Sequence, residues 1–78
     1  MSRVAGLLVR SADGRERAVR SLLERTAGVE IVAVDEPGFA ILLEAETPRD
    51  QEAVHQAIVS RPEVAEALVV FQSTEVEG

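Results

Sequence analysis

Few side chains in this sequence have the type and spacing needed for catalysis. The only histidine, His55, lies in a segment with helical periodicity, and no serine or aspartate stands at a spacing that would complete a Ser-His-Asp triad. The serines that could serve as nucleophiles stand at the ends of predicted elements: Ser11, Ser21, Ser60 and Ser73. We therefore predict that His55 is a solvated helix residue and that the protein is not an enzyme.

The carboxylates are more numerous but carry no clearer catalytic signal. Glu44 and Glu46 form the densest pair, with Glu30, Asp35 and Glu36 elsewhere. Paired carboxylates can act as acid and base, yet these stand at strand ends and turns, where a solvated rim explains them. The chain has no cysteine and no phosphate-binding glycine loop, so we predict neither a metal site nor a cofactor.

Charge and composition exclude other classes of partner. The net charge of −6 argues against binding to nucleic acid or to an anionic membrane. RNA-recognition domains stack bases on sheet aromatics, whereas the only aromatic residues here are Phe39 and Phe71, both predicted to face inward. The longest apolar stretch is too short for a transmembrane helix or a signal-peptide core. We expect a cytoplasmic protein with no nucleic-acid partner and no membrane insertion.

The elements that would position these residues form two similar halves, Val4–Val34 and Phe39–Phe71. Each half has an apolar run, a segment of helical periodicity and a second apolar run. The order βαββαβ predicts an α+β fold of the ferredoxin-like split βαβ type, with a four-stranded antiparallel sheet in the order 4-1-3-2. Right-handed crossovers put both helices on one face. We expect residues 1–78 to form a single domain, with 73–78 as a frayed tail.

Start and stop signals flank both helical segments. Asp13 is predicted to cap the first helix, with Glu16 in the capping-box position, and Gly28 to supply the positive φ of its C-cap. Thr47 is predicted to cap the second helix, with Pro48 in its first turn. The apolar stripe of the first helix recurs thirty-five positions on: Ala18, Val19, Leu22 and Leu23 match Ala53, Val54, Ala57 and Ile58.

The strand ends predict which residues face away from the helices. Arg10 and Glu44 do not belong in a helix-covered core, and side chains alternate along a strand. Counting by twos, forwards from Glu30 and back from Arg10, Glu44 and Gln72, gives an outward set of Val4, Gly6, Leu8, Val32, Val34, Ala40, Leu42, Leu68 and Val70. The predicted open face is thus an aliphatic strip of Leu8, Val32, Leu42, Leu68 and Val70, edged by Arg10, Glu30 and Glu44. Exposed apolar surfaces of this kind usually bind a partner.

Five segments of the chain form a pattern seen in a known family. Two are its most specific motifs, the Gly-Val-Glu turn at 28–30 and the Leu-Glu-Ala-Glu strand end at 43–46. The other matching segments are aliphatic: 5–10, 31–35 and 64–72. Together they resemble the NapD family, small cytoplasmic chaperones for the catalytic subunit of periplasmic nitrate reductase, and the resemblance covers nearly the whole chain. Where this chain has Gly6 the family usually has a small hydroxyl residue, and it has Tyr-His in place of Val70-Phe71.

The resemblance implies a function. Members of the family bind the twin-arginine signal peptide of the nitrate reductase precursor on the sheet face, which holds back export until the molybdenum cofactor is inserted. Carried over, this places Gly6, Leu8, Arg10, Leu42 and Glu44 at the peptide surface. Val32, Leu68 and Val70 of the open strip complete the predicted peptide-binding set.

Two alternatives remain open at this stage. One is a small-molecule-sensing domain of the ACT type, which shares the element order and in which Asp13-Gly14 would stand in the ligand loop. The other is a homodimer in which the open faces of two copies pack sheet to sheet.

Overall fold

A computed structural model of the chain describes residues 3–35 and 38–74. The elements alternate as the two-half pattern predicts. Their order and bounds are β1 (Arg3–Ser11), α1 (Glu16–Arg25), β2 (Val29–Asp35), β3 (Gly38–Ala45), α2 (Pro48–Val59) and β4 (Val64–Thr74). The sequence Glu36-Pro37-Gly38 predicts a turn between β2 and β3, and its first two residues lie outside the described residues.

The four strands form one antiparallel sheet in the order β2-β3-β1-β4. This is the predicted order 4-1-3-2 read from the other edge, so the ferredoxin-like fold is confirmed. The strands β1 and β3, which begin the two halves, are central, and the strands that follow each helix, β2 and β4, are the edges. Both helices lie on one face, since their buried residues Val19, Leu23 and Ile58 join a single core cluster with inward residues of the sheet.

Alternation in the central strands accounts for that core. Ala5, Leu7 and Val9 of β1 are each about 1% exposed, as expected for every second residue of a strand covered by helices. In β3, the residues that pair with them are also buried: Phe39, Ile41 and Leu43. The inward set predicted for these two strands is therefore confirmed, Ala45 at the end of β3 being only half-buried.

The start of α1 differs from its prediction. Asp13 is exposed, and α1 begins after Arg15 with no side-chain cap. The backbone N–H of Arg15 donates to the carbonyl of Ala12 at 3.0 Å, which closes a turn in which Gly14 has φ 75°. This turn moves the helix start two residues beyond Asp13. At the other end, Gly28 has the predicted positive φ of 84° but lies two residues past the C-cap, Thr26.

The start of α2 is as predicted. Pro48 is its first residue, and the hydroxyl of Thr47 accepts the backbone N–H of Asp50 at 3.0 Å. Proline fits there because its missing N–H has no partner in the first turn. The apolar stripe of α2 matches that of α1 only in part. Val54 and Ile58 face the sheet, whereas Ala53 and Ala57 are exposed.

The two residues predicted to cap helices, Thr47 and Asp13, can be compared by substitution. Thr47→Ala is expected to lower the free energy of unfolding by about 1 kcal/mol, because it removes the acceptor of an otherwise unpaired helix N–H. Asp13→Ala is expected to change it by less than about 0.5 kcal/mol, since Asp13 accepts no capping bond. Urea unfolding followed by circular dichroism measures both. A larger loss for Asp13→Ala than for Thr47→Ala would contradict the assignment of the caps.

His55 is not the solvated residue that its isolation in sequence suggested. It is half-buried, and its Nε2 lies 3.1 Å from the carbonyl oxygen of Ala67 in β4. Because a carbonyl only accepts, Nε2 must carry the proton in this bond. The side chain therefore joins α2 to the edge strand, and its role is structural.

The strand β4 extends two residues into the predicted tail, to Thr74. Ser73 and Thr74 pair with Val4 and Arg3 as part of β4, so the predicted frayed tail is wrong for these two residues. The remainder of that tail, 75–78, lies outside the described residues.

Candidate functional site

The face of the sheet opposite the helices exposes large apolar side chains. Leu8 of β1 and Leu68 of β4 are paired across the two strands and are 49% and 53% exposed. On the other side of Leu8, Ala40 of β3 completes the row. Pairs of this kind share one face because directly opposed side chains in a sheet point the same way.

A shallow groove of about 490 Å³ runs across this row near the end of β1. Its apolar lining includes Leu8, Leu68, Ala33 and Ala40. Three charged residues also line it: Arg10, Asp35 and Glu66. We call this the Leu8 groove. A groove with an apolar floor and charges beside it can hold a partner whose side chains are apolar on one side.

An ion pair stands beside the Leu8 groove. Nη2 of Arg10 lies 3.0 Å from Oε2 of Glu66, and about half of each side chain is exposed. Glu66 is directly opposite Arg10 in the register of β1 and β4, so the strand pairing brings the two charges together. An exposed pair of this kind contributes less than about 1 kcal/mol to stability, which leaves both groups available to a partner.

A second depression, of about 200 Å³, lies at the opposite end of the open face. It is lined by Val4, Leu42, Glu30 and Glu44. Glu30 is opposite Leu42 across β2 and β3, and Glu44 follows Leu42 by two residues on the same face. We call Glu30 and Glu44 the glutamate pair. Neither has an ion-pair partner within 3–35 and 38–74, and both are exposed.

Phe71 lies on the open face, although the sequence predicted it to face inward. The register of β1 and β4 shifts between Gly6 and Leu7, so that Gly6 is opposite Phe71 while Leu7 is opposite Val69. Val70 is the extra residue of this bulge, and inserting one residue reverses the alternation beyond it. The ring of Phe71 covers Gly6, where a Cβ atom would stand only 2.6 Å from Cδ2 and 2.9 Å from Cζ.

The contact between the Phe71 ring and Gly6 can be tested by substituting both residues, singly and together. Gly6→Ala is expected to push the Phe71 ring off β1 and to lower the free energy of unfolding by about 1 kcal/mol, roughly half the value of a fully buried phenylalanine, since the ring is 49% exposed. In a Phe71→Ala background the same change at Gly6 should cost nothing. Urea unfolding of the four proteins in this double-mutant cycle measures the coupling. Equal costs in both backgrounds would show that the ring and Gly6 do not touch.

A similar bulge alters the edge strand β2. Its register with β3 shifts between Ile31 and Ala33, which leaves Val32 as the extra residue. Ala33 is then opposite Ala40 on the open face, and Val34 is opposite Phe39 on the helix side. The prediction that Val34 faces outward is therefore wrong. Val32 is 51% exposed and lines a depression beside α1 with Arg20 and Leu23.

The register thus places six of the eight predicted peptide-binding residues on the open face: Gly6, Leu8, Arg10, Leu42, Glu44 and Leu68. The other two, Val32 and Val70, are the bulge residues and are both more than half exposed. Other residues of the face were not foreseen, among them Ala33, Asp35, Glu66 and Phe71. Glu66 could have been found by one further step of two back from Leu68, but the other three depend on the bulges.

Two further features bear on function. Within residues 3–35 and 38–74, no three side chains of the metal-binding types cluster closely enough to hold a metal ion. No helix in that part of the chain has the length and hydropathy needed to cross a lipid bilayer. Neither finding assigns an activity to the face.

Comparison with known proteins gives the family. The solution structure of the E. coli Tat proofreading chaperone protein NapD superposes with a TM-score of 0.82 at 20% identity, over 99% of this chain and 83% of that one. A protein described as a candidate antibiotic biosynthesis monooxygenase from Chloroflexus aurantiacus superposes with a TM-score of 0.56 at 13% identity, over 100% and 96%. At these identities the similarities establish the fold alone.

The sequence comparisons go further than the fold. A search among curated proteins gives no significant match. The family model described as NapD protein, in contrast, matches residues 2–76, almost the whole chain. This chain therefore belongs to the NapD family.

Proposed function

We propose that this protein is a cytoplasmic, non-enzymatic chaperone that binds the twin-arginine signal peptide of a periplasmic nitrate reductase catalytic subunit. Binding would delay export of that subunit until its cofactor is inserted. Membership of the NapD family supports the chaperone role, and the solved relative is a Tat (twin-arginine translocation) proofreading chaperone. The choice of nitrate reductase as cargo rests on the family resemblance.

The observation that carries the proposal is the open face itself. It combines an apolar row, the Leu8 groove, with carboxylates at both of its ends. A signal peptide offers the complementary chemistry, because a cationic segment precedes its apolar segment. The apolar side chains would cover Leu8 and Leu68, which are each about half exposed, and the arginines would form charge-assisted hydrogen bonds with carboxylates.

The direct test is calorimetric titration of the purified protein with a synthetic signal peptide of the nitrate reductase precursor. We expect saturable binding of one peptide per chain. A peptide with both arginines replaced by glutamine should bind more weakly. The difference in affinity between the two peptides should be largest at low salt, because salt screens the attraction between the arginines and the carboxylates. Absence of binding, or equal binding of the two peptides at every salt concentration, would contradict the proposal.

A second copy of the chain could also cover an apolar face, and light scattering distinguishes the two occupants. We expect a monomer whose mass rises by that of one peptide on titration. A stable dimer that the peptide does not dissociate would instead identify the face as a subunit interface. Dimerisation that depends on an added amino acid would favour the ACT-type alternative.

A further inference from the structure

The two ends of the open face differ in the charge they offer, and this difference gives the bound peptide a direction. At one end the glutamate pair, Glu30 and Glu44, lines a small depression without a cation beside it in the described part of the chain. At the other end Arg10 stands among the carboxylates and is paired with Glu66 at 3.0 Å. A guanidinium of the peptide is therefore attracted by two carboxylates at the first end, whereas at the second end Arg10 repels it.

Arg3 does not cancel the charge of the glutamate pair. It precedes Ala5 and Leu7 by even steps along β1, which puts it on the helix side, and it lines a depression with residues of α2 such as Gln51 and His55. The sheet separates it from the open face. The glutamate pair consequently offers two carboxylates with no cation beside them in the described part of the chain.

Apolar capacity shows the opposite gradient. The Leu8 groove, of about 490 Å³, lies at the Arg10 end and has the larger apolar lining, including Leu8 and Leu68. The depression at the glutamate pair is about 200 Å³ and offers only Val4, Val29 and Leu42 as large apolar side chains. Of the two depressions, the Leu8 groove thus takes bulky apolar side chains better, and it is the one where a second guanidinium fits worse; the Phe71 ring adds apolar surface in the row of Gly6 and Leu42.

The length of the face matches one signal peptide. From Val4 to Arg10, β1 rises about 20 Å at roughly 3.4 Å per residue. A helix of that length contains about 13 residues at 1.5 Å each. The apolar segment of a signal peptide has about 7–15 residues and follows its cationic segment, so an apolar segment at the short end of that range and the arginines before it can lie along the face together.

We infer that the signal peptide lies parallel to β1, with its paired arginines at Glu30 and Glu44 and its apolar segment running over the Leu8 groove towards Arg10. This rests on the proposed function. If the peptide is helical, its last carbonyl groups then point towards Arg10, and a cation at a helix C-terminus is favourable. The reverse direction would place the arginines beside Arg10 and apolar side chains over the glutamate pair.

Paramagnetic broadening tests the direction. The nitroxide label is attached to the peptide and the protein carries the isotope label. The protein has no cysteine to which a disulfide-linked label could transfer, so it is used without substitution. A label at the peptide's N-terminal end is expected to broaden the amide signals of Val4 and Glu44 more than those of Leu8 and Arg10. A label at its C-terminal end should give the opposite gradient. If the two gradients were exchanged, or if both labels broadened both ends equally, the inferred direction would be wrong.

Matched charge removals give an independent readout. Glu30→Gln with Glu44→Gln is expected to lower the affinity for the signal peptide about tenfold. Asp35→Asn with Glu66→Gln should lower it by a smaller factor, because those two carboxylates lie beside Arg10 and not beside the peptide's arginines. The peptide with glutamines in place of its arginines should bind the first variant and the unsubstituted protein equally. Equal losses for the two variants would overturn the inference. No binding by the unsubstituted protein would contradict the proposed function, and the direction with it.

Discussion

Replacing Leu8 with glutamate is expected to lower the affinity for the signal peptide about a hundredfold or more, because the new carboxylate would be buried without a partner beneath the peptide's apolar side chains. Leu8 stands in the central strand β1, between Ala40 and Leu68 on the open face. Its side chain is 49% exposed in the free protein. We therefore expect the free energy of unfolding to change by less than about 1 kcal/mol.

The matched control is Ala53→Glu, which adds the same charge on the exposed side of α2. It should leave the affinity unchanged within about twofold, since a screened surface charge contributes little at that distance. Calorimetric titration gives the affinities, and urea unfolding verifies that both variants fold. Signal-peptide binding by Leu8→Glu as tight as by Ala53→Glu would exclude the open face as the binding surface.

Leu7→Ala is expected to have the largest effect on stability, a loss of roughly 2–5 kcal/mol, because it removes buried methyl groups and leaves a cavity in the core. Leu7 is 1% exposed and belongs to the single core cluster between the sheet and the helices. A domain of this size has a modest total stability. The variant should therefore unfold at a much lower urea concentration than the unsubstituted protein.

The neighbouring residue provides the comparison. Leu8→Ala makes the same chemical change one residue along the strand, where the side chain faces solvent. Its cost should stay below about 1 kcal/mol, while its affinity for the signal peptide should fall. Equal losses of stability in the two variants would contradict the assignment of Leu7 to the core and Leu8 to the open face.

The element order and the parity of the central strands could be predicted from sequence because both depend on short-range patterns. Charges at Arg10 and Glu44 mark the outward side, and alternation carries that assignment along β1 and β3. Thr47 identifies the start of α2 by accepting the backbone N–H of Asp50, three residues on, and Pro48 does so because it lacks the N–H that would be unpaired in the first turn. The cap at Asp13 was predicted by the same reasoning and was wrong, because a turn containing Gly14 moved the helix start.

The alternating pattern predicted less well which way the side chains of the edge strands β2 and β4 face. One bulge in β2 and two in β4 each insert one residue against the neighbouring strand. A single inserted residue turns every later side chain to the other face. This is why Val34 lies on the helix side and Phe71 on the open face, contrary to the alternating count.

The fold and the existence of an uncovered apolar face could be predicted from local patterns, since two helical segments suffice to cover only one side of a four-stranded sheet. The long-range contacts are known only from the folded chain: His55 with the carbonyl of Ala67, Arg10 with Glu66, and the Phe71 ring over Gly6. Each of these contacts joins residues at least twelve apart in the chain. Their meeting depends on strand register and bulges, which are set by pairing between strands rather than by any local pattern.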